Sequence, residues 1–210
     1  ATDDDRILQA VESFECKAIM TGESHQSGTD RLAEVATKLG FNDDDIVVNL
    51  QGDEPLIDPD YIEVVVEHLK KNSGADISTL MCPIVSAKDL FNPNIVKVVT
   101  AEDSLALYFS RAPIPWERGK FDKFDDLEEL QISDGQYFRH IGLYAYRVST
   151  LRTLSQSPMT KLEELEALEQ LRALQLGKKI AVAKVENACP HGVDTLEDYV
   201  RIKKIIEESI

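Results

Sequence analysis

The segment 46–55, IVVNLQGDEP, contains the residues best suited to metal chemistry. Its first half is an apolar run broken only by Asn49, which is typical of a strand buried on both faces of a parallel sheet. Gly52 then permits a sharp turn, and Asp53 and Glu54 follow just past the carboxyl end of the strand. Ligands bind at that edge of open α/β sheets, and Mg²⁺ prefers one or two carboxylates completed by water and phosphates. The pattern predicts Asp53 as a magnesium ligand or, alternatively, a simple acidic turn.

A second carboxylate, Asp194, lies in the motif GVDT, immediately before an apolar-periodic segment at the end of the chain. Two junctions that lead into helices can meet at one end of an α/β sheet, where Asp53 and Asp194 would hold one Mg²⁺. The alternative is that Asp194 or Thr195 only caps the last helix.

The motif SGTDR offers a binding loop for a planar polar ligand. Ser27 supplies a hydroxyl, Gly28 lets the backbone approach closely, and Arg31 lies one turn into the following helix, from where its guanidinium can return to the loop. A capped helix with a surface arginine is the competing interpretation.

Polar and aromatic side chains alternate along YFRHIGLYAYR, residues 137–147. In a strand, His140, Gly142, Tyr144 and Tyr146 share one face, and this face has no aliphatic residue. That composition favours a polar pocket, although a half-exposed strand with hydrogen-bonded aromatics fits the pattern too.

Two further residues are candidates for substrate contacts. Arg111, which follows the predicted strand LALYFS, can grip a carboxylate with two parallel hydrogen bonds or remain a surface charge. Glu169 lies beside a leucine stripe on a predicted helix, where its carboxylate can reach sugar hydroxyls or water.

The elements that must position these residues follow from hydrophobic periodicity and turn residues. Helices are predicted over 4–14, 29–40, 59–71, 161–176 and the last segment of the chain. Strands are predicted over 17–20, 46–50, 76–85, 95–100, 105–110, 137–146 and 180–185. Helices and strands alternate except in the region 91–146, so the sequence predicts a single α/β domain with a β-rich insertion.

Composition limits the classes of function. The formal net charge of −15 over 210 residues argues against a nucleic-acid-binding surface, because phosphate backbones require a basic patch. No stretch approaches the roughly 18 apolar residues of a membrane span, so no membrane insertion is predicted. The three cysteines are widely separated and fit a reducing cytoplasm.

Several motifs together resemble the 3-deoxy-manno-octulosonate (Kdo) cytidylyltransferases, the CMP-Kdo synthetases of Gram-negative bacteria. They are QGDEP, HQSGTDR, YFSRAPIPW, RHIGLYAYR, LEALEQLR and GVDT. The resemblance implies a Rossmann-like nucleotide-diphospho-sugar transferase fold with a mixed, mostly parallel sheet, and a homodimer built partly through the β-rich insertion. It also implies a cytoplasmic enzyme whose partners are CTP and an acidic eight-carbon sugar, and which forms CMP-Kdo and pyrophosphate for lipopolysaccharide synthesis.

The resemblance also implies roles for individual residues. It assigns the Mg²⁺ cofactor and the catalytic electrostatics to Asp53 and Asp194. The expected cytosine and ribose contacts are Gln26, Ser27, Gly28 and Arg31. The expected contacts to the sugar acid are Gln51, Arg111, His140, Tyr144 and Glu169. The anomeric hydroxyl would attack the α-phosphate in line, so catalysis would consist of placement and electrostatics without a covalent nucleophile.

One family feature is absent from the 210 residues. Members carry a basic, glycine-containing loop of the type PARxxSTRLPGK after a first strand, and by resemblance this unit would precede Ala1. We therefore expect the native protein to be longer. Three alternatives accompany the leading hypothesis: a cytidylyltransferase for 8-amino-Kdo, one for a sialic acid, and a non-catalytic nucleotide- or sugar-binding module.

Overall fold

A computed structural model describes residues 1–25, 27–123, 126–186, 192–193 and 195–208. The helices are α1 (Asp5–Ser13), α2 (Gly28–Lys38), α3 (Asp60–Lys71), α4 (Ala87–Phe91), α5 (Val148–Ser155), α6 (Lys161–Glu166), α7 (Gln170–Gln175) and α8 (Leu196–Glu208). The strands are β1 (Ile46–Asn49), β2 (Ile77–Pro83), β3 (Lys97–Thr100), β4 (Ala106–Ser110), β5 (Phe138–Arg147) and β6 (Ile180–Lys184). None of the helices in this part of the chain is long and apolar enough to cross a bilayer.

The sheet is organised around β5, its longest strand. Along one edge β5 pairs with β2, and along the other it pairs with β3 near its start and with β1 near its end. β4 extends the sheet beyond β3, and β6 extends it beyond β2. The α/β class is confirmed, but the expectation of a mostly parallel sheet is wrong for the described strands. β5 runs back through the sheet, so both β1 and β2 lie antiparallel to it, and only β2 and β6 form a parallel ladder.

The two faces of β5 differ as the alternation predicts. Ile141, Leu143 and Ala145 are buried in a core that includes Val65 and Leu69 of α3. On the opposite face, His140, Tyr144 and Tyr146 are buried, with Phe109 packed edge-on against the His140 ring. The strand therefore separates an aliphatic core from a polar and aromatic layer.

A β-bulge interrupts the pairing of β2 with β5. Thr79 lies opposite Tyr144, whereas the next β2 residue, Leu80, lies opposite Ile141. Gly142 and Leu143 therefore have no partner residue in the β2 ladder. Bulges of this kind change the direction of side chains near functional sites.

Helix boundaries follow the capping residues closely. The Ser27 hydroxyl accepts a hydrogen bond from the Asp30 amide at 3.2 Å, so α2 begins at Gly28. After α2 the chain turns at Gly40, which has a left-handed φ of 66°, a conformation that favours glycine. Thr195 and Asp198 form reciprocal hydrogen bonds at the start of α8. The predicted cap Thr195 is thus confirmed, while Asp194 lies outside the described residues.

Three predictions about the elements are wrong. The segment 17–20 is not a strand, because it contributes only an isolated bridge from Met20 to Thr2. β1 is half-buried rather than fully buried, since its only strand partner in the described chain is β5. The helix predicted over 161–176 is divided at Ala167, which adopts a left-handed conformation with φ of 50°. Leu165, expected in its buried stripe, is 69% exposed.

Candidate active site

Two adjacent cavities lie where the end of β1 meets the middle of β5. The larger, which we call the outer cleft, has a volume of about 860 Å³ and extends from the start of α2 to the α6–α7 corner. The smaller, the inner cavity, has a volume of about 300 Å³ and lies against the polar face of β5. Their common wall is formed by Asn49, Gln51, Ala167, Leu168 and Glu169.

The inner cavity contains every residue that the resemblance assigns to the sugar acid. They are Gln51, Arg111, His140, Tyr144 and Glu169. These residues come from the β1 end, the β4 end, the middle of β5 and the start of α7, so only the folded chain brings them together.

The outer cleft contains Ser27, Gly28 and Arg31, three of the four predicted nucleotide contacts. The fourth, Gln26, lies outside the described residues. Asp53 lies in sequence between Gly52, which lines this cleft, and Glu54, which lines the inner cavity.

Backbone carbonyls hold the Arg111 guanidinium in place. Its Nε donates to the Glu166 carbonyl at 2.7 Å, and its Nη1 donates to the Pro93 carbonyl at 3.0 Å. Nη2 donates to the Ala167 carbonyl at 3.4 Å. A guanidinium has five N–H groups, so two remain for a ligand, one on each terminal nitrogen. A carboxylate that accepted from both of them would form two hydrogen bonds to Arg111.

Lys97 is buried directly behind Arg111. Its ammonium donates to three carbonyls: those of Asn92 at 2.9 Å, Ile95 at 2.6 Å and Arg111 at 2.5 Å. Burial lowers the pKa of Lys97 to about 8, and the positive charge of Arg111 acts in the same direction. Because all three N–H groups are used, Lys97 fixes the backbone on which Arg111 stands.

Glu166 joins the α6–α7 corner to the end of β4. One carboxylate oxygen accepts from the Ser110 hydroxyl at 2.6 Å, and the other accepts from the Arg111 amide at 2.8 Å. The chain then turns at Ala167 and presents Glu169 to both cavities. The Oε1 atom of Glu169 is buried and has no hydrogen-bond partner in the described part of the chain. A buried acceptor of this kind is available to a ligand donor.

His140 lies on the floor of the inner cavity and is 8% exposed. Its Nε2 is 2.9 Å from the Thr79 hydroxyl. Burial lowers the pKa of His140 to about 3, and Arg139 adds to this effect, so the ring is neutral at pH 7. Burial also raises the pKa of the neighbouring Tyr144 phenol. Both residues therefore act as neutral hydrogen-bonding groups.

Arg31 is held at the side of the outer cleft. Its Nη1 donates to the Thr21 hydroxyl at 2.5 Å, and its Nη2 pairs with the Asp3 carboxylate at 2.6 Å. These contacts connect α2 to the first residues of the chain. The start of α2 also supplies backbone N–H groups at Gly28 and Thr29, which favour anionic ligands.

The Asp53 loop contacts the segment that leads towards Asp194. The Asp53 carbonyl accepts from the Val193 amide at 2.8 Å. A Cβ atom at Gly192 would lie 2.6 Å from the same carbonyl oxygen, so this approach requires glycine. Across the described residues, no three His, Cys, Asp or Glu side chains form a metal cluster. Asp53 is thus a single exposed carboxylate, which suits a metal that takes its remaining ligands from water and phosphates.

Several residues that shape the site were not predicted from the sequence. Asn49 lines both cavities, Thr79 contacts His140, and Lys97 and Glu166 position Arg111. Lys97 did carry a signal, since it is a lone charge within the apolar run IVKVV. Glu166 is one of several glutamates on a helical segment, and nothing in the sequence distinguishes it.

Comparisons with known proteins identify the family. A protein-family model described as "Cytidylyltransferase" matches residues 1–180 of the chain. A 3-deoxy-manno-octulosonate cytidylyltransferase of Francisella tularensis subsp. holarctica (strain FTNF002-00 / FTA) is 49% identical over 205 residues, which are 98% of this chain and 80% of that protein. The enzyme of the same name from Coxiella burnetii (strain Dugway 5J108-111) is 48% identical over 203 residues, 97% of this chain and 80% of that protein.

Solved structures agree with this relationship. A CMP:2-keto-3-deoxy-manno-octonic acid synthetase complexed with CTP has a TM-score of 0.85 and 39% identity, covering 100% of this chain and 80% of its own. A glucose-1-phosphate thymidylyltransferase from Bacillus anthracis, with a TM-score of 0.58 and 13% identity, covers 96% of this chain and 71% of its own and supports the fold alone. The chain therefore belongs to the cytidylyltransferase family, together with the 3-deoxy-manno-octulosonate cytidylyltransferases.

Proposed function

We propose that this protein transfers CMP from CTP to Kdo, giving CMP-Kdo and pyrophosphate for lipopolysaccharide biosynthesis. The relatives at 48–49% identity carry the name of this activity. The observation that carries the proposal is the convergence of Gln51, Arg111, His140, Tyr144 and Glu169 in one polar cavity beside a larger cleft.

The inner cavity is suited to an acidic, polyhydroxylated sugar. Its volume of about 300 Å³ is at the lower end of the range for small-molecule sites. The two remaining N–H groups of Arg111 would donate hydrogen bonds to the sugar carboxylate. Neutral donors and acceptors on Gln51, His140 and Tyr144, together with the unpartnered Glu169 oxygen, serve the hydroxyl groups.

The outer cleft is the proposed site for CTP. Ser27, Gly28 and Arg31, with Gln26 from outside the described residues, would contact cytosine and ribose. The cleft is larger than the inner cavity and borders Asp53, so the phosphates of a nucleotide bound there lie towards the wall common to both cavities. That wall is where an acceptor hydroxyl and the α-phosphate can meet.

Mg²⁺ is the proposed cofactor, held by Asp53 and by Asp194. The contact of the Val193 amide with the Asp53 carbonyl supports this pairing, because it joins the two loops that carry these carboxylates. When bound, the metal would neutralise phosphate charge. Asp53 and Asp194 would fix its place at the edge of the cleft.

The chain's own residues would lower the barrier by placing two anions that repel each other. Arg111 holds the sugar carboxylate, and its position is fixed by Lys97 from behind and by Glu166 at the side. A sugar held at its carboxylate and its hydroxyls would be restricted in orientation, and transfer requires its anomeric oxygen to face the cleft. Orientation of this kind is worth several kcal/mol in bimolecular reactions.

We also propose that the protein is a cytoplasmic homodimer. Large apolar side chains of the region 85–116 support the dimer, because Val85, Leu107 and Trp116 are 81%, 62% and 54% exposed. Leu107 lies on β4, an edge strand of the described sheet. The cytoplasmic localisation is proposed because the proposed substrate, CTP, is a cytoplasmic nucleotide.

The proposed activity is tested by pyrophosphate release from CTP and Mg²⁺ by the purified protein of verified intact mass. Kdo, 8-amino-Kdo and a sialic acid serve as parallel acceptors, and a reaction without sugar is the blank. We expect release with Kdo and none in the blank. Preference for 8-amino-Kdo or a sialic acid would replace the proposed substrate, and calorimetric CTP binding without any release would identify a non-catalytic binding module instead.

A further inference from the structure

The Thr79 hydroxyl is completely buried between β2 and β5, directly beneath the inner cavity. It lies 2.9 Å from His140 Nε2, 2.9 Å from the Leu143 carbonyl and 3.1 Å from the Ile141 carbonyl. All three neighbours belong to the bulged part of β5. One side chain of β2 therefore contacts both the bulge and the histidine that faces the sugar pocket.

The number of protons decides the direction of these hydrogen bonds. A threonine hydroxyl has one proton, and a carbonyl oxygen can only accept. If Thr79 donated to His140, both carbonyl contacts would be unprotonated oxygen pairs in a buried site, which is costly. If Thr79 instead shares its proton between the Leu143 and Ile141 carbonyls in a three-centre hydrogen bond, the histidine must donate Nε2–H to the hydroxyl oxygen. Only the second arrangement places a proton in each of the three contacts.

We propose that Thr79 is a positioning residue that fixes His140 in the Nε2–H tautomer, so that Nδ1 accepts a hydrogen bond from a hydroxyl of the bound sugar. The inference rests on the proposed function and names the part of the sugar that His140 contacts. No described residue hydrogen-bonds to Nδ1, and His140 lines the inner cavity.

Packing around the ring supports a single orientation. The Phe109 ring meets the imidazole edge-on with centroids 5.0 Å apart, and the Tyr144 ring lies at 5.3 Å. An imidazole held between two aromatic rings and one buried hydroxyl has little freedom to flip. Burial keeps it neutral, as its lowered pKa indicates, so it offers the cavity an acceptor rather than a positive charge.

The first test is ¹⁵N NMR of protein labelled at its four histidines. The spectrum of His140→Gln identifies the His140 signals by their loss. We expect wild-type His140 to show a protonated Nε2 and an unprotonated Nδ1 from pH 5 to 8. Thr79→Val should give a mixture of tautomers, and Thr79→Ser should restore the wild-type signals. A wild-type ring protonated at Nδ1, or cationic at pH 7, would overturn the inference.

The second test separates positioning from general support of the fold. Thr79→Val should raise KM for the sugar about tenfold, corresponding to one hydrogen bond, with KM for CTP unchanged. Thr79→Ser, which keeps the hydroxyl, should restore KM. An equal increase in KM for both substrates, or a Thr79→Ser variant that fails to restore KM for the sugar, would contradict a positioning role. Because the NMR signals do not depend on turnover, failure of the proposed function and failure of this inference remain distinguishable.

Discussion

The inner cavity and the outer cleft differ in how much of their geometry the protein supplies by itself. In the inner cavity, Arg111 is held by three carbonyls and His140 by Thr79 before any ligand arrives. At the outer cleft, Gly52 and its neighbour Asp53 are exposed. The proposed sugar site is therefore preorganised, whereas the proposed nucleotide site has groups that a ligand or metal must complete.

This difference follows from the chemistry of the two proposed substrates. A cavity whose donors and acceptors are fixed gains selectivity from them, since a mismatched hydroxyl leaves a buried group unpaired. A triphosphate carries its own charge and can bring Mg²⁺ with it, so one or two protein carboxylates suffice to hold the metal. Variants in the two regions should accordingly fail in different ways.

The largest effect is expected at the cleft. Asp53→Asn should lower Mg²⁺-dependent turnover at least about 100-fold, because it removes the carboxylate proposed to hold the metal and keeps the shape of the side chain. Steady-state kinetics across a Mg²⁺ titration measures this change. Far-UV circular dichroism should remain that of the wild type, since the Asp53 side chain is exposed.

Asp44 offers a matched control for this variant. It is another exposed carboxylate, near the opposite end of the same strand, β1. Asp44→Asn should retain full activity. Near-full activity of Asp53→Asn would remove Asp53 from the metal site, and equal losses in both variants would point to general electrostatics instead.

How much of this could be predicted from the sequence depends on the range of the interaction. The faces of β5 follow from a local pattern, and this prediction was confirmed, while the helix predicted over 29–40 was found as Gly28–Lys38. The antiparallel direction of β5 depends on how distant strands pair. The break at Ala167 is equally non-local, because Glu166 bonds to Ser110 and Arg111 across more than 50 residues of sequence. Helical periodicity carries no record of such contacts.

A pair of arginine variants sharpens the contrast between the regions. Arg111→Lys should raise KM for the sugar about 10- to 100-fold, because lysine cannot form parallel hydrogen bonds to a carboxylate while also contacting the three carbonyls. Arg31→Lys should instead raise KM for CTP by a similar factor. Initial rates with one substrate varied and the other saturating measure both constants.

Each arginine variant is the control for the other. Independent sites require that Arg111→Lys leave KM for CTP unchanged and that Arg31→Lys leave KM for the sugar unchanged. If both variants raised both KM values equally, the two cavities would form a single site. The sugar site and the nucleotide site would then not differ in preorganisation.

A smaller effect should appear in the pH dependence of stability. His140 has a folded pKa of about 3 against an ordinary value of 6.5, so between these values the unfolded chain binds a proton that the folded chain does not. Stability must therefore fall as the pH drops, by about 1.36 kcal/mol per pH unit. From pH 6.5 to 5 this amounts to about 2 kcal/mol, which urea unfolding of the wild type can measure.

His140→Gln isolates this contribution, because it removes the titrating group. The difference in free energy of unfolding between wild type and variant should be constant above pH 7 and should change in the variant's favour by about 2 kcal/mol at pH 5. A difference that stayed constant down to pH 5 would show that His140 is protonated in the folded protein, contrary to a neutral ring in a preorganised cavity.

The smallest effect concerns the corner that carries Glu169. Ala167 is exposed and left-handed, with φ of 50°, a conformation that costs an alanine about 1–2 kcal/mol and a glycine almost nothing. The glycine variant also loses about 0.5–1 kcal/mol of stability, because glycine gives the unfolded chain more conformational freedom. Ala167→Gly should therefore stabilise the protein by about 0.5 kcal/mol, measured by thermal or urea unfolding.

Ala10, an exposed residue within α1, supplies the control, because the same substitution in a regular helix should destabilise the protein by about 1 kcal/mol. Opposite signs for the two variants would show that the corner is imposed on the chain by its contacts. Those contacts are the hydrogen bonds of Glu166 to Ser110 and Arg111, which lie in the wall of the inner cavity. Equal destabilisation would mean that Ala167 is unstrained, and preorganisation of the sugar site would then rest on Lys97 and Thr79 alone.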